Sequence, residues 1–230
     1  VQTHASEECS LALDQELTRR LHQLCRDNEV TLFMAILALL KVVLHHASGE
    51  RDMCIGTPVA NRPSEELSNT FGCFINTLAI RSRMPVDCSF SQWLQIVRRG
   101  ALGAFAHQEI PFDKVVASVC PVRNRGHHPL FQVMVNMLHW ESVPLASPRL
   151  QVQREWLVSP QTKFDMTLYV RQHDAVIDLH LVYNSTLFDA ARMENLLQDF
   201  HATLQHCLDA PAGFRVDSPA TIASPASGEG

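Results

Sequence analysis

The chain has 230 residues, 46% of them hydrophobic and 19% charged, with a formal net charge of -5. That length can bury a sizeable core in one large domain, and an acidic balance without runs of like charge lends no support to nucleic-acid binding. Its seven cysteines include no CxxC pair, so they read as the reduced thiols of a cytoplasmic protein rather than a disulfide framework.

In chain order, Asp14 caps a first predicted helix with Leu17, Leu21, Leu24 and Cys25 on one stripe. Thr31 caps a second, built on LFMAILALLKVVL (32–44), and Gly49 ends it in HHASGE. That apolar run contains Lys41 and is too short for a membrane span, so it predicts a helix buried on nearly all sides, with no membrane partner. MCIGTPVA (53–60) predicts a short strand, and the polar loop NRPSEELSNT (61–70) follows. The run at 74–81 alternates with a period of two, which places Phe74, Asn76, Leu78 and Ile80 on one face of a strand. Asn76 is conspicuous there, because an unpaired amide among apolar neighbours costs roughly 1–3 kcal/mol.

FSQWLQIVRRGALGAFAHQ (90–108) has helical spacing, and Pro111 opens a further helix, PFDKVVASV. Residues 121–129 form a basic, proline-bounded loop, and LFQVMVNMLHW (130–140) alternates as a strand that embeds Asn136. The stretch 141–160 holds Pro144, Pro148 and Pro160 around one short candidate strand, LQVQREWLV. FDMTLYVRQ and AVIDLHLVYN predict a hairpin joined at His173-Asp174, and Asp189 caps a last amphipathic helix through Leu208. Residues 211–230 read as a Pro/Ser/Ala-rich linker behind a single domain at 1–210. Helices and strands mixed without regular βαβ alternation predict an α/β fold, a mixed β-sheet packed with helices.

No complete catalytic constellation is visible. His45 and His46 end a helix, which fits a capping role, and His127 and His128 lack neighbouring metal ligands. His201 and His206 are five apart and do not stack on one helical face. There is no GxSxG elbow, P-loop or dinucleotide fingerprint.

Five stretches nevertheless occur in a telling order: IGTPVANR (55–62), FGCFINTLAIR (71–81), HQEIPFD (107–113), RNRGHHPLFQ (123–132) and KFDMTLYV (163–170). They closely resemble the condensation domains of nonribosomal peptide synthetases, whose motifs run roughly as (I/V)GxFVNT(L/Q)xxR, (H/N)QDxPFE and RDxSRNPLFQ. The resemblance covers about Leu11 to about Leu208. It implies a lobe of chloramphenicol acetyltransferase type, one of two that form a V around a tunnel. Donor and acceptor peptidyl carrier proteins dock at its two mouths, and an adenylation domain lies adjacent. No cofactor is bound by the domain itself. The phosphopantetheine arm of each carrier protein presents an aminoacyl or peptidyl thioester, and attack by the acceptor amine forms an amide.

The family's catalytic motif, HHxxxDG, closes the N-terminal lobe and is absent here. HHASGER at 45–51 fails its spacing, with Glu50 and Arg51 where Asp and Gly belong. The resemblance therefore implies the C-terminal lobe of a condensation domain, with the N-terminal lobe as partner and no catalytic residue on this chain. A non-catalytic module that docks a carrier protein or tailoring enzyme is the alternative.

The same resemblance assigns supporting roles. Arg62, beside Asn61 at the end of IGTPVANR, is the candidate ion-pair mate of the HHxxxDG aspartate. Gly72 permits a close backbone approach. Asn76, with Thr77 adding a hydroxyl, either faces a peptide-like ligand in the tunnel or bonds neighbouring backbone. His107 and Gln108 cap one helix, while Pro111 and Phe112 start and pack the next. Arg123, Pro129 and Leu130 match the family loop, but Asn124, Gly126, His127 and His128 replace its Asp, Ser, Arg and Asn. Gln132 and Asn136 are candidates to face the tunnel.

Overall fold

Cap chemistry sets the element starts. Asp14, Thr31 and Asp189 each accept a hydrogen bond from the backbone N–H three residues on, at 2.8, 3.3 and 2.8 Å, and Ser89 forms a reciprocal capping box with Gln92. In the computed structural model, which describes residues 5–62, 64–68, 70–119, 128–138, 161–173 and 175–217, the elements run β1 (Ser6–Leu13), α1 (Gln15–Asp27), α2 (Leu32–Ser48), β2 (Asp52–Val59), α3 (Glu65–Ser68), β3 (Asn76–Arg83), α4 (Phe90–Ala106), α5 (Phe112–Val119), β4 (Val133–Leu138), β5 (Met166–His173), β6 (Val176–Asn184) and α6 (Ala190–Asp209). Arg123, His127 and the candidate strand at 150–158 lie outside the described residues.

The strands form one sheet in the order β1-β6-β5-β4-β2-β3. β4 runs parallel to β2 and β5, while the other neighbours are antiparallel, so the sheet is mixed as the sequence predicts. The predicted hairpin closes with His173 opposite Val176. β1 is an addition that the sequence reading did not include. Cys9, Leu11 and Leu13 alternate toward the core, but Glu7 and Glu8 mask the pattern, and only pairing with β6 orders it as an edge strand. β3 begins at Asn76, two residues after the predicted start, and leaves Phe74 in the preceding loop.

α2 is the buried helix that its composition predicts. Every side chain from Met34 to Val43 is buried, and α4 and α6 flank it. Lys41 is fully enclosed, with Nζ donating to the Ile80 carbonyl (2.9 Å), the Ser82 hydroxyl (3.0 Å) and the Met53 carbonyl (3.2 Å). The one cation in the apolar run thus ties the helix to β2 and β3. Burial lowers its pKa from 10.5 to about 8. The unfolded chain then binds the proton more tightly, so this group adds stability as pH rises from about 8 to 10.5. Measured against Lys41→Met by urea unfolding, the wild-type protein is expected to gain on the order of 3 kcal/mol across that window. A difference that stays constant with pH would show that Lys41 is not desolvated.

The sequence reading begins a linker at 211, yet the packed chain continues to Asp217. Val216 is fully buried, its N–H donating to the Cys88 carbonyl (3.1 Å), and Phe214 accepts from the Phe90 N–H (2.9 Å). The segment lies across the α2 C-terminus and the turn before α4.

Candidate functional site

β2 starts beside this C-terminal strap and delivers Asn61 and Arg62 past its far end, to the opposite pole of the sheet. Arg62 is not a solvated loop residue. Its Nη1 donates to the Leu67 and Thr70 carbonyls, the latter at 2.8 Å, and its Nη2 donates to the Gly72 carbonyl at 3.1 Å. The guanidinium also lies 4.5 Å from the centroid of the Phe74 ring. One cation therefore gathers the loop between β2 and β3 around itself. Nε–H and one Nη2 hydrogen have no partner among the described residues. Gly72 fits tightly within this knot, since a Cβ there would sit 3.1 Å from the Phe74 ring.

Asn76, at the start of β3, explains its own presence in an apolar pattern. Its Nδ2 donates to the carbonyls of Gln108 (2.7 Å) and Ile110 (2.8 Å), and its Oδ1 accepts from the Phe112 N–H (3.2 Å). The amide thus satisfies three backbone groups in the turn between α4 and α5, where no ladder or helix could reach them. His107 and Gln108 close α4 through their backbone N–H groups, and the Pro111 carbonyl accepts the first bonds of α5, which begins at Phe112. Pro111 therefore stands one position ahead of the helix it was expected to open. Thr77 pairs with Pro58 on β2 and takes no part in this clamp.

Behind the clamp lies an aromatic cluster. His128 stacks on Phe112 (5.5 Å between centroids) and packs against Phe131 (4.3 Å) and Phe164 (5.0 Å). Burial among these rings pushes His128 below the ordinary histidine range. Gln132 is exposed and its Nε2 donates to the His128 carbonyl (3.0 Å), holding the turn into β4, while Pro129 is exposed in that turn and Asn136 is half-buried on β4. Phe131 covers Gly56, the residue at which β2 meets β4.

Asn61 has left-handed backbone, φ 49°, and its Oδ1 is buried without a hydrogen-bond partner among the described residues. Sequence reasoning placed Asn61 in a motif but missed both features. It also missed the cluster around His128, whose only trace is aromatic residues recurring in separate motifs.

Phe71, Ile75 and Ile110 lie at this pole with large exposed side chains, Phe71 being completely uncovered. No trio of metal-ligating side chains is assembled among the described residues. Among those residues no single helix is long and apolar enough to cross a membrane. The site offers a rigid, partly apolar rim with spare hydrogen-bond donors on Arg62.

Comparison with known proteins places this architecture. The chain matches the family described as "Condensation domain" over residues 1–222. It is 39% identical over 203 residues to malpinin synthetase of Mortierella alpina, covering 88% of this chain and 3% of that protein. Holo-AB3403, a four-domain nonribosomal peptide synthetase solved with AMP and glycine, superposes with a TM-score of 0.84 at 28% identity, over 94% of this chain and 18% of that one. The condensation domain of the monacolin K polyketide synthase MokA shares the fold, with a TM-score of 0.79 at 18% identity over 92% of this chain and 48% of its own. The chain therefore spans a small fraction of the curated synthetase and about half of the MokA chain. The Arg62 knot, the Asn76 clamp and the aromatic cluster are how residues of the recurring motifs meet in space, and the chain belongs to the condensation-domain family of nonribosomal peptide synthetases, with its chloramphenicol acetyltransferase-like fold.

Proposed function

We propose that this chain, packed as far as Asp217, is the C-terminal lobe of a condensation domain that joins aminoacyl or peptidyl thioesters through an amide bond, and that this lobe is inactive without its N-terminal partner. The observation that carries the reading is the rim at the end of β2, where Arg62 and Asn76 fasten three motif stretches together while HHxxxDG is missing from the sequence. The remaining donors of Arg62 form a charge-assisted pair with the aspartate of HHxxxDG, and the exposed Phe71, Ile75 and Ile110 meet the other lobe. Substrates arrive as thioesters on the phosphopantetheine arms of donor and acceptor peptidyl carrier proteins, and an adenylation domain is a neighbour in the assembly. The lobe's contribution is positioning, because proton handling belongs to the histidine of the other lobe.

Mass spectrometry of the acceptor carrier protein tests this. The chain alone is expected to yield no dipeptidyl product from two loaded carriers. Adding the N-terminal lobe restores product, and Arg62→Ala then lowers turnover about tenfold, with melting curves separating lost folding from lost activity. Product from the chain alone would overturn the assignment of chemistry to the other lobe. Carrier binding without product in the presence of both lobes would favour the docking-module alternative.

A further inference from the structure

The pole opposite the candidate site carries a second polar assembly that the condensation reading does not use. Asp217, in the strap, accepts from Arg51 Nη2 (2.6 Å) and from the Asp87 N–H (2.7 Å), and its Oδ1 lies 3.3 Å from His45 Nε2. His45 Nδ1 lies 3.0 Å from the Glu50 carbonyl oxygen. The adjacent His46 Nε2 donates to the Val216 carbonyl at 2.7 Å. Ser89 and Arg215 form an antiparallel bridge, and Arg215 Nη1 donates to the Asp87 carbonyl at 2.9 Å.

The His45 geometry has a chemical consequence. A carbonyl oxygen and a carboxylate both accept only, so each ring nitrogen must carry a hydrogen for the two contacts to hold together. A neutral imidazole has one N–H. If Nδ1–H serves Glu50, a bare Nε2 lone pair faces the Asp217 carboxylate; if Nε2–H serves Asp217, the Glu50 contact fails. Only the imidazolium satisfies both, and it sits in the last turn of α2, where the helix dipole favours a cation.

We propose that His45 is a protonation-dependent latch for the strap, closed by the imidazolium and loosened when the ring loses its proton. The charged and titratable groups around it are His46 on α2, Arg51 before β2, Asp87 and Cys88 in the turn before α4, Arg215 and Asp217 in the strap, and Asp199 on α6, which faces His46. Burial opposes charge on Asp217, but the Asp87 N–H, Arg51 and His45 hold its carboxyl below the usual range. Arg51 also holds Asp217, which makes the change graded, a loosening of the strap and not its ejection. Complete release would free the seven residues 211–217, at most about 25 Å of extended chain.

The test is hydrogen exchange of the whole chain followed at the Val216 and Phe90 amides, which bond across the strap, with Leu168 in the core as reference. Between pH 6 and pH 9, after correction for intrinsic exchange, strap protection is expected to fall roughly three- to fivefold relative to Leu168, the scale of a partly exposed ion pair. In His45→Gln, which has no proton to lose, the ratio stays flat. Nitrogen-15 spectra of the wild-type ring at pH 6 supply a readout that needs no variant to fold, and both ring nitrogens should carry hydrogen. A neutral single tautomer at pH 6, or an identical pH profile in His45→Gln, would overturn the latch.

Discussion

Replacing Gly56 with alanine is expected to destabilise the lobe by about 3 kcal/mol, at the upper end of the overpacking range. A Cβ at this position overlaps three carbons of the Phe131 ring, the farthest of them at 2.7 Å. The ring has little room to retreat. It is 1% exposed, with Phe112 and Phe164 at centroid distances of 5.8 and 5.4 Å and His128 closer still. Nor can the backbone yield cheaply, because Gly56 is where β2 joins β4 and the two halves of the sheet meet. Thermal unfolding should show a fall of roughly 6–12 °C for a chain of this length. Phe131→Leu in the Gly56→Ala background tests the cause, since a smaller side chain should recover part of the loss although Phe131→Leu alone is destabilising. Independent, additive effects would mean that the ring and the glycine do not share this space.

The second large effect is expected at Asn76. Asn76→Ala removes three hydrogen bonds to the turn between α4 and α5 and leaves two carbonyls and an N–H without their partner, a loss of about 2–4 kcal/mol. Asn76→Asp keeps the acceptor for Phe112 N–H but points a carboxylate at the Gln108 and Ile110 carbonyls. Repulsion from those oxygens favours the protonated acid in the folded state. The stabilising contribution of that protonated form is present below the unfolded carboxyl range and is lost as pH rises through the folded value. Asn76→Asp should therefore be less stable than Asn76→Ala at pH 7 and approach or exceed it near pH 4.5, in urea melts of both variants at each pH. A pH-independent gap between the two variants would refute the clamp. Both variants are also expected to reduce turnover in the two-lobe assay, because the clamp fixes the rim on which the proposed function depends.

How much was legible in advance differs from element to element. The caps at Asp14, Thr31 and Asp189 are local, since a side chain and an N–H three residues on decide them, and the apolar run of α2 states its burial outright. β1 was missed because its glutamates obscure the alternation and its order comes from β6, about 170 residues away. Asn76 was visible as an anomaly, but its partners lie 32 to 36 residues away, and a period of two says nothing about a turn between two helices. Arg62 was expected to reach outward to another lobe. Most of its donors turn out to be committed to the carbonyls of Leu67, Thr70 and Gly72, which only the tertiary structure could reveal.

The sequence by itself determined the elements other than β1 and the short α3, the α/β class and, through motifs recurring in order, the family. Those properties are written in short-range chemistry: periodicity, capping hydrogen bonds and the restrictions of glycine and proline. Only the tertiary structure decided which side chains meet. Glycine against ring at Gly56 and Phe131, amide against turn at Asn76, and imidazole against carboxylate at His45 and Asp217 are contacts between residues distant in the chain. Their existence depends on how the sheet order β1-β6-β5-β4-β2-β3 folds those segments together. The eight-residue length of β2 separates the two poles, with the motif residues at its end and the strap at its beginning. Bringing the strap to that beginning is a matter of chain path through space, and no window of sequence encodes it.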